Sequence, residues 1–296
     1  MPRELQAGQR AELYIVNVDT GDTSLVHRSD SLLFEAPNWT SNGAWLILNG
    51  AGKLWRVSAD GGEPVEVPME GVPPINNDHV VSPDAETVYV SSEDGHLYAV
   101  PLGDGAVRRV SNSHDNFTYY LHGISPDGET LAYIGMRHLP DGSVSTNVFT
   151  IPAAGGEDTQ LTDDAFPDDG SEFSPDGQWI YFNSERASSD AGHAQLFRMP
   201  RTGGEIEQLT FDERVNWFPH LAPVGDRIAY VSFPTGTLGH PADVDGVLVR
   251  LRDRDGGVRD LASVFGGQGT MNVPSWDPTG TRLAYVAYPI EAATAD

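Results

Sequence analysis

The chain has 296 residues, 43 of them acidic and 18 basic, a formal net charge of −25, and no cysteine. That balance repels nucleic acid and anionic membranes, and the missing cysteines exclude disulfides. No apolar run has the length of a membrane-spanning helix, and the opening MPRELQAGQRAEL lacks the apolar stretch of an export signal, so the location to expect is cytoplasmic. Lys53 is the sole lysine, and the acid is spread along the chain. This reads as a solvated surface, with attraction of a cation or basic partner as the sharper alternative.

In chain order, the first predicted strands are residues 13–18 and 25–28, joined by the turn Asp19-Thr20-Gly21-Asp22. A four-strand unit then recurs. Its first turn is Thr40-Ser41-Asn42-Gly43, then Ser82-Pro83-Asp84-Ala85, Ser125-Pro126-Asp127-Gly128, Ser174-Pro175-Asp176-Gly177, Ala222-Pro223-Val224-Gly225 and Asp277-Pro278-Thr279-Gly280. Proline presets φ, serine and aspartate bond nearby amides, and glycine takes the left-handed position. After each turn comes an apolar, β-branched or aromatic run, at residues 44–47, 87–90, 131–134, 179–182, 228–231 and 283–286, as suits a strand covered on both faces. A second hairpin recurs at Asp60-Gly61-Gly62, Gly103-Asp104-Gly105, Gly155-Gly156, Gly203-Gly204 and Gly256-Gly257. The sixth first turn has no second hairpin after it. The missing half stands at the N terminus, where Asp19 to Asp22 precede any first turn.

A four-stranded meander cannot bury its apolar face alone, and repetition at this period reads as a propeller. The expectation is an all-β fold: a six-bladed β-propeller with four antiparallel strands per blade, the last blade closed by the N-terminal strands. It forms one domain over residues 1–296, with blades at about 36–70, 76–112, 119–163, 168–211, 216–263 and 271–290 plus 11–28.

The first strand of each blade should line a central channel. Aligning the copies on the turn brings Asn77, Asp78, Tyr120, Asp169, Asn216, Trp217 and Asn272 to one mouth, with His79, His122, Glu172 and His220 deeper. Carboxylate, amide, imidazole and aromatic groups together suit a ligand, although a water-filled channel is also polar. Three inner histidines on different blades raise a divalent cation as an option, against the commoner outcome of imidazoles satisfied by carbonyl groups. His27, His96, His114, His138, His193 and His240 read as exposed. Residues 137–146, 185–194 and 233–244 are insertions joining second and third strands, so they share one rim, where specificity tends to be placed. Neither a G-x-S-x-G elbow nor a Walker loop is present, and the acid pairs Asp163-Asp164 and Asp168-Asp169 fall between blades.

The segments SPDGQWIYF, QLFRMPRTGGEIEQLT and DPTGTRLAYV resemble the repeats of TolB-type propellers, and the resemblance runs over residues 11–288. It implies the fold and leaves the activity open, because the family has unlike members. TolB itself is periplasmic and has a further domain ahead of its propeller; neither that domain nor an export signal is expected here. Propellers of this kind also precede the hydrolase domain of prolyl oligopeptidase relatives. A related branch, the oligogalacturonate lyases, implies a divalent metal at the mouth and a last-blade motif Gln-x-x-His-x-His-Pro. Here Gln268 and Pro274 match, but Met271 and Val273 stand at the histidine positions. The expected function is therefore non-enzymatic, the binding of a protein, peptide or small ligand at the mouth through Asn77, Asp78, His79, Tyr120, His122, Asp169, Glu172, Trp217, His220, Gln268 and Asn272, with no cofactor. The alternative is a metal-dependent carbohydrate-active enzyme with a degenerate metal site.

Overall fold

The computed structural model describes residues 2–291; residue 1 and residues 292–296 of the expected span lie outside them. Among the described residues every regular element is a strand, and no helix is long and apolar enough to cross a membrane. The strands form six sheets. Blade one runs outward through Glu35–Trp39, Trp45–Gly50, Lys53–Ser58 and Val65–Val67. Blade two uses Ile75–Val81, Thr87–Ser92, Leu97–Pro101 and Arg108–Arg109. Blade three uses Phe117–Ile124, Thr130–His138, Val144–Pro152 and Thr159–Gln160. Blade four uses Asp168–Phe173, Trp179–Ser184, Gln195–Pro200 and Glu207–Gln208. Blade five uses Val215–Leu221, Ile228–Phe233, Val244–Arg252 and Val258–Gly266.

Blade six joins the two ends of the chain. Arg282–Ala287 pairs antiparallel with Ala11–Asn17, Leu13 opposite Val286 and Ile15 opposite Ala284, and Ala11–Asn17 pairs in turn with Thr23–Ser29. Its innermost member, residues 270–276, departs from the regular strand that the repeat predicts. It holds to the sheet by a bridge between Trp276 and Leu283 and by bonds from Ala284 N to Ser275 O (2.9 Å) and Val286 N to Thr270 O (3.0 Å). Pro274 lies within this segment and has no N–H for a continuous ladder.

The recurring first turn works through its hydroxyl and carboxylate. Trp179 N donates to Ser174 Oγ (3.0 Å), Gln178 N donates to Asp176 Oδ1 (3.0 Å), and Gly177 N closes on Ser174 O (2.8 Å). Ser82 with Asp84 and Ser125 with Asp127 repeat the pattern. Gly177 sits at φ +67°; Ala85 holds the same left-handed position at φ +58°, at the cost of a Cβ there. The turns also interlock. A Cβ on Gly128 would lie 3.5 Å from Pro83, one on Gly177 3.4 Å from Pro126, and one on Gly43 3.2 Å from Pro278, so the last contact spans the closure.

Burial follows the same geometry. The apolar core is six clusters, one between each pair of successive blades. Closure supplies two of them: Leu13 and Ile15 pack toward blade one with Leu46 and Leu48, and Val16 and Val18 pack toward blade five with Val231 and Val249. Leu13 is fully buried. We expect Leu13→Ala to lower unfolding free energy by about 3 kcal/mol, read by urea denaturation, because it leaves a cavity at the joint between the chain ends. A change below about 1 kcal/mol would mean that the closure strand bears little of the ring's stability.

Candidate functional site at the channel mouth

The five regular inner strands each break register once, between Glu35 and Asn38, Ile75 and His79, Leu121 and Gly123, Asp169 and Glu172, and Trp217 and His220. Such bulges turn side chains that simple alternation would place elsewhere. In blade three the displaced residue is His122. It reaches across the channel, Nδ1 3.4 Å from Asn272 O of blade six and Nε2 2.8 Å from Asp169 Oδ1 of blade four. The second contact is off the line of a straight hydrogen bond and acts chiefly as an ion pair. In blade five the bulge holds Phe218 at φ +57°, a strained setting for a large side chain. Phe218 N donates to Asn183 Oδ1 (3.0 Å), and its ring lies 5.7 Å from that of His122.

His240 joins this group, although the sequence suggests an exposed loop histidine. It is 27% exposed, with Nε2 3.5 Å from Asp169 Oδ2 and its ring 4.5 Å from Trp217. The loop between Ile228–Phe233 and Val244–Arg252 folds over the mouth, and Gln268 N donates to Pro241 O (3.0 Å) to fasten it. The signal in the sequence was the length of that insertion and its rim. Arg3 was missed as well. It enters the mouth from the N-terminal segment and meets Glu35 and Asp243.

The remaining residues separate into groups. Asp78 is buried, receives Asn76 Nδ2 at 2.9 Å, and lies in the field of Asp169 and His122, while half-buried Tyr120 lies in the field of Asp78 and Asp169. Asn77 and Gln268 line a cavity of about 150 Å³ beside Arg3. Asn272 turns its side-chain oxygen to Gly269 N (2.7 Å) and contributes its carbonyl group to His122. Glu172 and His220 form a buried inter-blade tie: Glu172 Oε2 is 2.7 Å from His220 Nδ1, Oε1 accepts from Leu221 N (2.8 Å), and His220 Nε2 meets Met271 O (3.1 Å). His79 does not join the others. It is wholly buried, with Nε2 3.3 Å from Ile47 O of blade one, and burial pushes it down to about 4, which keeps it neutral.

Ionisation at the mouth is strongly coupled. Burial disfavours charge on His122, but the carboxylates of Asp78 and Asp169 more than offset it and raise the imidazole to about 9. Asp169 is held well below the usual carboxylate range: burial opposes this, and His122 with His240 overcomes it. Asp78 moves the other way, raised to about 6 by burial and by Asp169 against the pull of His122 and His240. Two carboxylates thus differ in proton affinity across one site, an arrangement suited to recognising charge or moving a proton. Among the described residues no cluster of three or more His, Cys, Asp or Glu could hold a metal ion. Met271 and Val273 are wholly buried, and Met271 packs in the core between blades five and six, so the lyase-like metal set does not fit.

A folded-state pKa above the unfolded value of about 6.5 gives stability that is complete below pH 6.5 and lost as pH rises through about 9. We expect wild-type unfolding free energy to fall by on the order of 3 kcal/mol over that window, and His122→Gln to flatten the fall. Denaturant titrations at several pH values check this, and an equal fall in the variant would remove His122 as its source.

The chain is 38% identical over 289 residues to an uncharacterised protein of Agrobacterium fabrum, covering 95% of this chain and 94% of that one. A solved structure from Agrobacterium tumefaciens, provisionally named TolB, superposes with a TM-score of 0.86 at 38% identity over 95% of this chain and 99% of that one. An oligogalacturonate lyase in complex with manganese shares the fold at a TM-score of 0.58 and 15% identity, over 89% of this chain and 75% of that one. The TolB beta propeller domain family model matches residues 139–245. With the ring, the repeat and these relatives in agreement, the chain belongs to the TolB-type β-propeller family.

Proposed function

We propose that the protein is a non-enzymatic binding propeller that takes a protein, peptide or small ligand at the channel mouth. The observation that carries this reading is the convergence at one end of the channel of Asp78, Tyr120, His122, Asp169 and Trp217 from four blades, with His240 folded over them from a rim loop. Isolated ionisable groups this deeply buried destabilise a core, so their gathering at an open mouth points to use. The net charge of −25 favours a polypeptide or small molecule over nucleic acid. A metal-dependent carbohydrate enzyme finds no such support, because Met271 and Val273 are core residues where that chemistry calls for ligands.

Thermal-shift measurements with panels of peptides and oligosaccharides test the proposal. The expected result is a saturable rise in Tm for one class, weakened about tenfold by Tyr120→Phe or His240→Ala. Both side chains are partly exposed, so the variants should fold. Turnover of a peptide or glycan by the wild type would overturn the proposal.

A further inference from the structure

Arg3 occupies a cage that the ring builds without it. Its guanidinium carbon lies 4.1 Å from the centroid of the Tyr288 ring, which is itself wholly buried and anchored by a bond from its hydroxyl to Phe34 O (3.1 Å). Arg3 Nη1 donates to Glu35 Oε1 (3.2 Å) and to Gln268 O (3.1 Å), and Nη2 donates to Asp243 Oδ1 (2.6 Å). These groups come from blade one, the ends of blade six and the rim loop of blade five. A planar cation on an aromatic face, with carboxylates and a carbonyl group at its edges, is the recognition pattern of guanidinium rather than ammonium.

Two observations separate the cage from its occupant. Gly269 sits at φ +89°, and a Cβ there would come within 2.5 Å of both Glu35 Oε1 and the Tyr288 hydroxyl, so the hollow depends on this glycine. Asn49 is almost fully buried and lines the adjoining cavity. Its Nδ2 donates to Glu35 Oε2 (3.1 Å), while its Oδ1 faces no partner and can accept a further N–H. The segment that delivers Arg3 is exposed at Glu4, Gln6, Ala7 and Gly8, and is fastened by Gln6 and Gln9, whose Nε2 groups donate to Asp243 at 2.9 and 2.6 Å.

We propose that the mouth contains a recognition site for a guanidinium group, filled in cis by Arg3 and available to an arginine side chain of a partner polypeptide when the N-terminal segment lifts away. This deepens the reading of the mouth as a binding site and rests on it. Glu35 is held above the usual carboxylate range by burial, opposed by Arg3 and Asn49, so a guanidinium entering the emptied cage competes with a proton for Glu35. The internal occupant lowers the apparent affinity of any competitor by the fraction of time the cage stands open.

The test uses Arg3→Ala in the full chain, with N-acetylarginine amide as the probe. The variant should show a saturable rise in Tm with the probe, and the wild type should need at least about tenfold more of it. N-acetyllysine amide should be about tenfold weaker than the arginine probe, and Gly269→Ala added to Arg3→Ala should abolish the response. Should Arg3→Ala fail to fold, Arg3→Lys, which retains a charge but loses the planar fork, serves in its place. No saturable response, or one that survives Gly269→Ala, overturns the proposal. That outcome leaves the peptide and oligosaccharide responses governed by Tyr120 and His240 as a separate result, so the two readings can fail independently.

Discussion

The structure depends on one backbone ladder, the pairing of Ala11–Asn17 with Arg282–Ala287. Each blade has an apolar face that only its neighbour can cover, so the sheets are stable as a closed cycle and not as a row. Closing the cycle at blade six buries residues 13–18 on both sides and removes two open edges. The interlocked first turns reinforce the same joint on the opposite rim, where Gly43 of blade one rests against Pro278 of blade six.

Once the ring is closed, the inner strands face a confined channel, and their bulges decide what the channel contains. His122, Asp169 and Phe218 are placed by breaks in register and by left-handed backbone at Gly170 and Phe218. The strain at Phe218 is offset by a bond to Asn183 and by stacking on His122. Backbone held this way at the end of a rigid channel fits a site more than a purely structural interior.

Charge sorts the channel along its depth. Deeper, Glu172 and His220 satisfy one another and the backbone of neighbouring blades, so they stitch the ring. At the mouth the chain bends its own cation inward: Arg3 meets Glu35 and Asp243. In a protein with 43 acidic residues and 18 basic ones, Arg3 is one of few cations, and it is committed to that position.

The amino-acid sequence by itself determined the cycle of blades. Turns such as Ser174 to Gly177 carry their own hydrogen-bonding groups, so they specify local geometry wherever they recur, and the displaced half-repeat at residues 13–28 requires closure. It also pointed Asp78, Tyr120 and Asp169 to one mouth with His122 deeper, because a fixed distance from a fixed turn is a local property. Tertiary structure alone decided the rest. Bulges altered which inner residues meet, sending His122 across the channel while His79 turned to a carbonyl group of blade one. His240 and Arg3 arrive from segments outside the repeat, whose positions follow from packing on the finished ring rather than from any local signal.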